Sequence, residues 1–176
     1  MKLMPVMEKY VLHWGEMGTR WGVNRTVSQI HALLYLSPEP LSAEDIATTL
    51  AVARSNVSTS LRELQSWNLV RVTHAIGDRR DYFEAVKDMW EVFALIVDGR
   101  KQREIDPTLS MLRDCAVQCQ EDLETDPEIR ERIMDVLEFL EVLTGWYGQM
   151  QRLPRPALVK LFKMGASIQH FLNRPA

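Results

Sequence analysis

The run of side chains most suited to recognition chemistry lies between Arg54 and Arg62. Arg54, Ser55, Asn56, Ser58, Thr59 and Arg62 are hydrogen-bond donors and acceptors, while Val57, Leu61 and Leu64 recur at i, i+4 and i+7. On a helix this spacing gathers the apolar residues on one side and turns the polar ones outward. The spacing predicts a helix over 54–66. A helix fits the major groove of B-form DNA, and its outer face must then offer groups that bond to base edges. Glu63 is the one acidic residue in the predicted helix. Further along, Gly77-Asp78-Arg79-Arg80-Asp81 is a polar turn between residues 69–76 and 82–86, two stretches rich in β-branched and aromatic residues. The pattern reads as a hairpin. Arg79 and Arg80 at its tip suit phosphate or the minor groove. The same turn could also hold one of them against Asp78 or Asp81.

Other reactive residue types are sparse. The chain has two cysteines, Cys115 and Cys119, and four histidines, His13, His31, His74 and His170. Two thiols are too few for a disulfide scaffold, and no histidine stands at zinc-ligand spacing from a cysteine. One helical turn separates Cys115 from Cys119; a pair of small buried residues is the simpler reading, a redox switch the sharper one. His74 falls on the predicted hairpin, as a structural residue or one near phosphate. Phosphate-binding loops, dinucleotide fingerprints and nucleophile elbows are absent from the sequence. No enzyme activity, metal or cofactor is expected. Trp14, Trp21, Trp90, Trp146 and Tyr147 could form an aromatic cage for a cationic effector. Packing at helical spacing in a dimer core is the plainer account of the same residues.

Helices must position these groups. Residues 5–21 carry Val6, Tyr10, Trp14, Met17 and Trp21 at spacings of three and four, an apolar stripe weakened by Gly15 and Gly18 and ended by Gly22. A second helix runs from Asn24, a good cap, to Leu36, with Val27, Ile30, Leu33 and Leu34 inward. Ser37-Pro38-Glu39-Pro40 breaks the chain. Ser42 and Asp45 resemble a capping box for a short helix containing Ile46 and Leu50. After the hairpin the chain is helical from Asp88 to about Ile105, is interrupted at Asp106-Pro107, and continues to about Glu124. Pro127 opens another helix, and Ala157 to about Leu172 the last.

Charge separates these regions. Residues 42–87 are balanced, residues 88–153 are strongly acidic and residues 154–176 are basic, within an overall charge of −3. The acidic block would repel phosphates, so a DNA-binding surface must lie elsewhere. Across 52–82 five arginines (54, 62, 71, 79 and 80) face Glu63, Asp78 and Asp81, a modest excess. Binding would then depend on both halves of a dimer and on salt. No apolar run approaches the roughly 20 residues that span a bilayer. Residues 1–10 show no export signal, so a cytoplasmic location without membrane contact is expected.

The order short helix, tight turn, polar-faced helix and basic-tipped hairpin describes a winged helix-turn-helix. The sequence resembles the GbsR branch of the MarR-type regulators. The stretches that carry the resemblance are Trp14-Gly15-Glu16-Met17-Gly18-Thr19-Arg20-Trp21-Gly22, Leu41 to Ala47, Ala53 to Ser58, the wing from Gly77 to Phe83, and Asp88-Met89-Trp90. The resemblance implies a repressor that is dimeric through terminal helices; some relatives sense choline-like quaternary amines. The expected architecture is mainly α with a small β-hairpin wing. It comprises an N-terminal dimerisation helix at 1–23, the DNA-binding domain at 24–87, and a helical dimerisation and effector region at 88–176. The expected partners are double-stranded DNA, a second copy of the chain and a small-molecule effector. The rival expectation is a winged-helix module that binds protein instead of DNA.

Overall fold

A computed structural model describes residues 3–122, 125–154, 156–162 and 164. The chain divides into two compact units at Lys101/Gln102. The first holds α1 (Pro5–Arg20), α2 (Arg25–Leu36), β1 (Leu41–Ser42), α3 (Ala43–Leu50), α4 (Arg54–Ser66), β2 (Val70–His74), β3 (Asp81–Ala85) and α5 (Met89–Arg100). A π-helical turn, Lys101–Ile105, leads into α6 (Asp106–Glu121), and α7 (Pro127–Gln151) follows. The expectation of a mainly helical winged helix-turn-helix holds.

Helix α1 starts with Pro5 in its first turn and stops before Gly22, whose φ of 77° favours a residue without a Cβ. Its buried face departs from the expected stripe in part: Tyr10 and Trp14 pack half-buried against the core. Val11, Gly15 and Gly18 are buried, whereas Val6 and Trp21 are exposed. The glycines that weaken the helix locally let it approach α2. A Cβ at Gly15 would stand 2.6 Å from Gln29 Cγ, and one at Gly18 would stand 1.9 Å from Ser28 Oγ. Periodicity marks large residues as core and misses a face made of small ones.

Helix α2 follows expectation. The Asn24 side chain accepts from the Thr26 amide at 2.8 Å, and Val27, Ile30, Leu33 and Leu34 are all buried. Lys87 closes its far end. Its Nζ donates to the carbonyls of Leu34, Tyr35 and Ser37 at 2.6, 2.9 and 2.6 Å, a cation against the helix's negative pole.

The capping box of α3 is complete. Ser42 Oγ accepts from the Asp45 amide, and the Asp45 carboxylate accepts from the Ser42 amide, each at 3.2 Å. That hydrogen bonding, led by the Ser42 hydroxyl, holds the Asp45 carboxyl below its ordinary range. Ala51 then takes a left-handed conformation, φ 53°, and turns the chain into α4.

The sheet has three antiparallel strands in the order β1-β3-β2. Leu41 and Ser42 pair with Phe83 and Tyr82, a strand too short for any pattern to reveal. The hairpin runs in register from Val70↔Ala85 to His74↔Asp81. Ala75 and Ile76, expected as strand, lie in the connecting loop. Ile46, Val57, Leu61, Leu64, Val70 and Phe83 join the α2 residues in one core, to which α5 adds Val92.

In the second unit α6 and α7 pack through Leu109, Leu112, Ala116, Leu137 and Leu140. The expected break at Asp106-Pro107 is a change of pitch. Pro107 lies in the first turn of α6, and the π-helical turn before it absorbs the missing donor. Asp126 caps α7, accepting from the Glu128 amide at 2.8 Å, with Pro127 in the first turn. Residues 156–162 are helical, and most of the expected last helix lies outside the described residues. Among the described residues, no helix is long and apolar enough to cross a membrane.

Candidate nucleic-acid interface

Helix α4 is amphipathic in the predicted sense. Val57, Ser60, Leu61 and Leu64 are buried, while Arg54, Ser55, Asn56, Ser58, Thr59 and Arg62 are exposed. The tight turn through Ala51 sets the helix on α3, and Asn68, at φ 57°, turns the chain from its end into β2. Leu61 anchors the helix to the core one turn from Ser58 and beside Arg62.

The wing stands against the same helix. Between them is a cleft of about 550 Å³ lined by Arg54, Ser58, Leu61, Arg62 and Gln65 of α4, by Arg79, Arg80 and Asp81 of the wing, and by Ser42 to Glu44 at the start of α3. Val72 and Phe83 complete its wall. The structure therefore brings together Arg54, Ser58, Arg62, Arg79 and Arg80. It leaves Ser55, Asn56 and Thr59 outside this cleft, exposed on α4.

The five arginines of this region differ in their partners. Arg71 is bonded to Glu84 at 2.6 Å across the strand pair. Arg80 is held by Asp78: its amide donates to Oδ1 at 2.9 Å, its Nε to Oδ1 at 3.1 Å, and its Nη2 to Oδ2 at 2.6 Å. The Tyr82 hydroxyl donates to the same Oδ2 at 2.7 Å, and the guanidinium lies over the Tyr82 ring at 5.3 Å. Bonding from Arg80 pushes the Asp78 carboxyl far below its usual range; the Asp78 hydrogen bond holds the Arg80 guanidinium above its own and raises the Tyr82 phenol. Arg54, Arg62 and Arg79 have no ion pair among the described residues. Their charge remains available to a polyanion. The sequence pattern Asp78-x-Arg80-x-Tyr82 carried the one signal for this clamp, because alternate residues of an extended segment share a face. Tyr82 was not singled out from sequence.

The aromatic residues expected at an effector site belong to both units. Trp14 is half-buried, stacked on Tyr10 at 5.5 Å and tilted against His31 at 6.4 Å. Trp21 and Trp90 are exposed within the first unit; Trp146, exposed, and Tyr147, half-buried, belong to α7 of the second. His31 continues the row to Tyr35, and its Nε2 is buried without a hydrogen-bond partner among the described residues. Burial lowers its pKa to about 4, with the Lys87 charge adding to the effect. Cys115 is half-buried and Cys119 buried on α6, both as free thiols.

An exposed polar helix after a tight turn, flanked by a three-stranded wing, defines a winged helix-turn-helix regulator of transcription that binds DNA. Residues 21–81 match the family model described as MarR family. It is 25% identical over 138 residues to the HTH-type transcriptional repressor GbsR of Bacillus subtilis (strain 168), covering 76% of this chain and 75% of that protein. The YvaV protein of the same organism is 19% identical over 135 residues, with 76% of each chain covered. A solved transcriptional regulator shares the fold with a TM-score of 0.59 and 23% identity, over 85% of this chain and 100% of that one.

Proposed function

We propose that the protein is a dimeric, sequence-specific repressor in which α4 reads base edges in the major groove and the wing holds the flanking backbone. Promoter occlusion is its mode of action. The observation that carries this reading is the cleft between α4 and the wing, where Arg54, Arg62 and Arg79 converge without an internal ion pair. Ser55, Asn56, Ser58, Thr59 and Arg62 supply direct readout, Arg54 and Arg79 bind phosphate or reach into the groove, and Arg80, held by Asp78, shapes the wing that presents them. Dimerisation uses α1 and the helices after residue 88. The apolar side chains exposed on α7, among them Phe139, Val142 and Trp146, support that assignment. Two copies of α4 would then enter major grooves about one helical turn apart. The resemblance to GbsR points to a quaternary amine as effector, a cation that an exposed tryptophan face can hold.

The test is a gel-shift series on duplexes selected by the protein from a random pool, across a range of salt. Arg62→Ala weakens binding by about tenfold or more, the worth of a good bond to a base edge. Arg79→Ala reduces the slope of log affinity against log salt by about 1 for each phosphate that is no longer neutralised. Unchanged affinity in both removes the assignment of the reading face. A complete absence of salt dependence favours a protein-binding winged helix.

A further inference from the structure

The wing tip is built in two layers. The lower layer is the clamp of Asp78, Arg80 and Tyr82, which fixes the second half of the loop. Above it, the Asp78 amide donates to the Ala75 carbonyl at 3.2 Å, closing a four-residue turn with Ile76 and Gly77 at its corners. Gly77 takes φ 85°, the positive value a type II turn requires at its third residue. The second residue of such a turn projects from the apex. That residue is Ile76, whose exposure equals that of an isolated isoleucine, 107%. Elsewhere the hairpin turns Val70, Phe83 and Ala85 inward, so an isoleucine at the apex contributes nothing to the core. Arg79, exposed and outside any ion pair among the described residues, lies three residues further on.

An apolar apex followed by a free cation, on a stiffened loop, matches one feature of duplex DNA. The minor groove is about 6 Å wide, carries negative potential where it narrows, and is lined by sugars. Aliphatic side chains that enter it partly unstack a base step. We propose that Ile76 is such a wedge: it enters the minor groove beside the sequence read by α4, and Arg79 holds the adjoining backbone. Flexible pyrimidine–purine steps are the cheapest to open, so Ile76 selects for them at positions that α4 does not touch. The clamp keeps the loop from folding back and cancels the Asp78 charge, which would otherwise repel phosphate.

This inference rests on the proposed DNA-reading role, and the experiment separates the two. The full-length protein, Ile76→Ala, Ile76→Leu and Arg62→Ala are each selected against a random duplex pool and then titrated on the best wild-type duplex. Ile76 touches no core residue, so its variants fold. The expected result is that Ile76→Ala binds about tenfold more weakly, in line with the smaller aliphatic surface it can bury. It also loses base preference only at the flanking steps, while Ile76→Leu retains both. A 2-aminopurine placed at the flanking step brightens on binding wild type and stays quenched with Ile76→Ala. Wild-type affinity, preference and fluorescence in Ile76→Ala overturn the wedge; if Arg62→Ala still weakens binding, the role of α4 stands. Wild-type protein that selects no sequence overturns the DNA-reading role itself, and the wedge with it.

Discussion

The winged unit and the α6–α7 pair bury their apolar residues to different degrees. The largest fully buried side chains, among them Ile30, Leu33, Leu34, Ile46 and Leu61, all belong to the first unit. The α6–α7 seam is thinner: its five buried members are each 7–9% exposed, while Val136, Phe139, Val142, Leu143 and Trp146 on α7 are 42–66% exposed. The first unit closes a core of its own. The second presents much of its apolar surface outward among the described residues. Burial stabilises at about 25 cal/mol per Å² of apolar surface, so the first unit is expected to carry most of the intrinsic stability.

Substitutions can break this contrast. Leu33→Ala, at a fully buried position, is expected to cost about 2–5 kcal/mol and to lower the denaturation midpoint at every protein concentration. An effect under about 1 kcal/mol would place the core elsewhere. His31 gives the next largest effect. Its folded pKa of about 4 lies below the ordinary 6.5, so between these values the unfolded chain binds a proton that the folded chain excludes. Its contribution is intact above pH 6.5 and is lost as pH falls toward 4, in total about 3 kcal/mol. Denaturant titrations from pH 7 to 4 should show this loss, and His31→Phe should flatten it. An equally steep loss in His31→Phe would trace it to carboxylates.

On α7 the contrast sharpens. Phe139→Ser should change the stability of the isolated subunit by about 0.5 kcal/mol or less, the range of surface substitutions. In the proposed dimer it should make the melting temperature fall more steeply on dilution and shift sedimentation toward monomer. A large loss independent of concentration would make α7 part of an ordinary core. The smallest effect belongs to the turn before α4. Ala51 holds φ 53°, a region that costs an L-residue roughly 1 kcal/mol and glycine little. Ala51→Gly should therefore leave stability unchanged or raise it by up to about 1 kcal/mol, and a clear fall in calorimetric melting temperature would contradict the strain.

Sequence and structure contribute differently to this picture. The helices α2 and α4 were legible because their apolar residues recur at helical spacing. The Asn24 cap, the Ser42–Asp45 box and Pro127 at the head of α7 were equally plain, because the start of a helix is set by near neighbours in the chain. The reading-face residues, Arg54 to Arg62, could be named for the same reason: a helix converts spacing directly into sidedness.

Whatever depends on distant segments meeting was decided by the tertiary structure alone. Strand β1 exists because Leu41 and Ser42 find Phe83 and Tyr82, about forty residues away in sequence. The buried face of α1 is set by how closely Gly15 and Gly18 let it approach Gln29 and Ser28. Which arginines stay free is a matter of geometry: Glu84 takes up Arg71 and Asp78 takes up Arg80, while Arg54, Arg62 and Arg79 keep their charge. Composition fixes how many charges the region holds, but only the packed chain fixes which of them are paired, because pairing acts over a few ångströms in space whatever the separation along the chain.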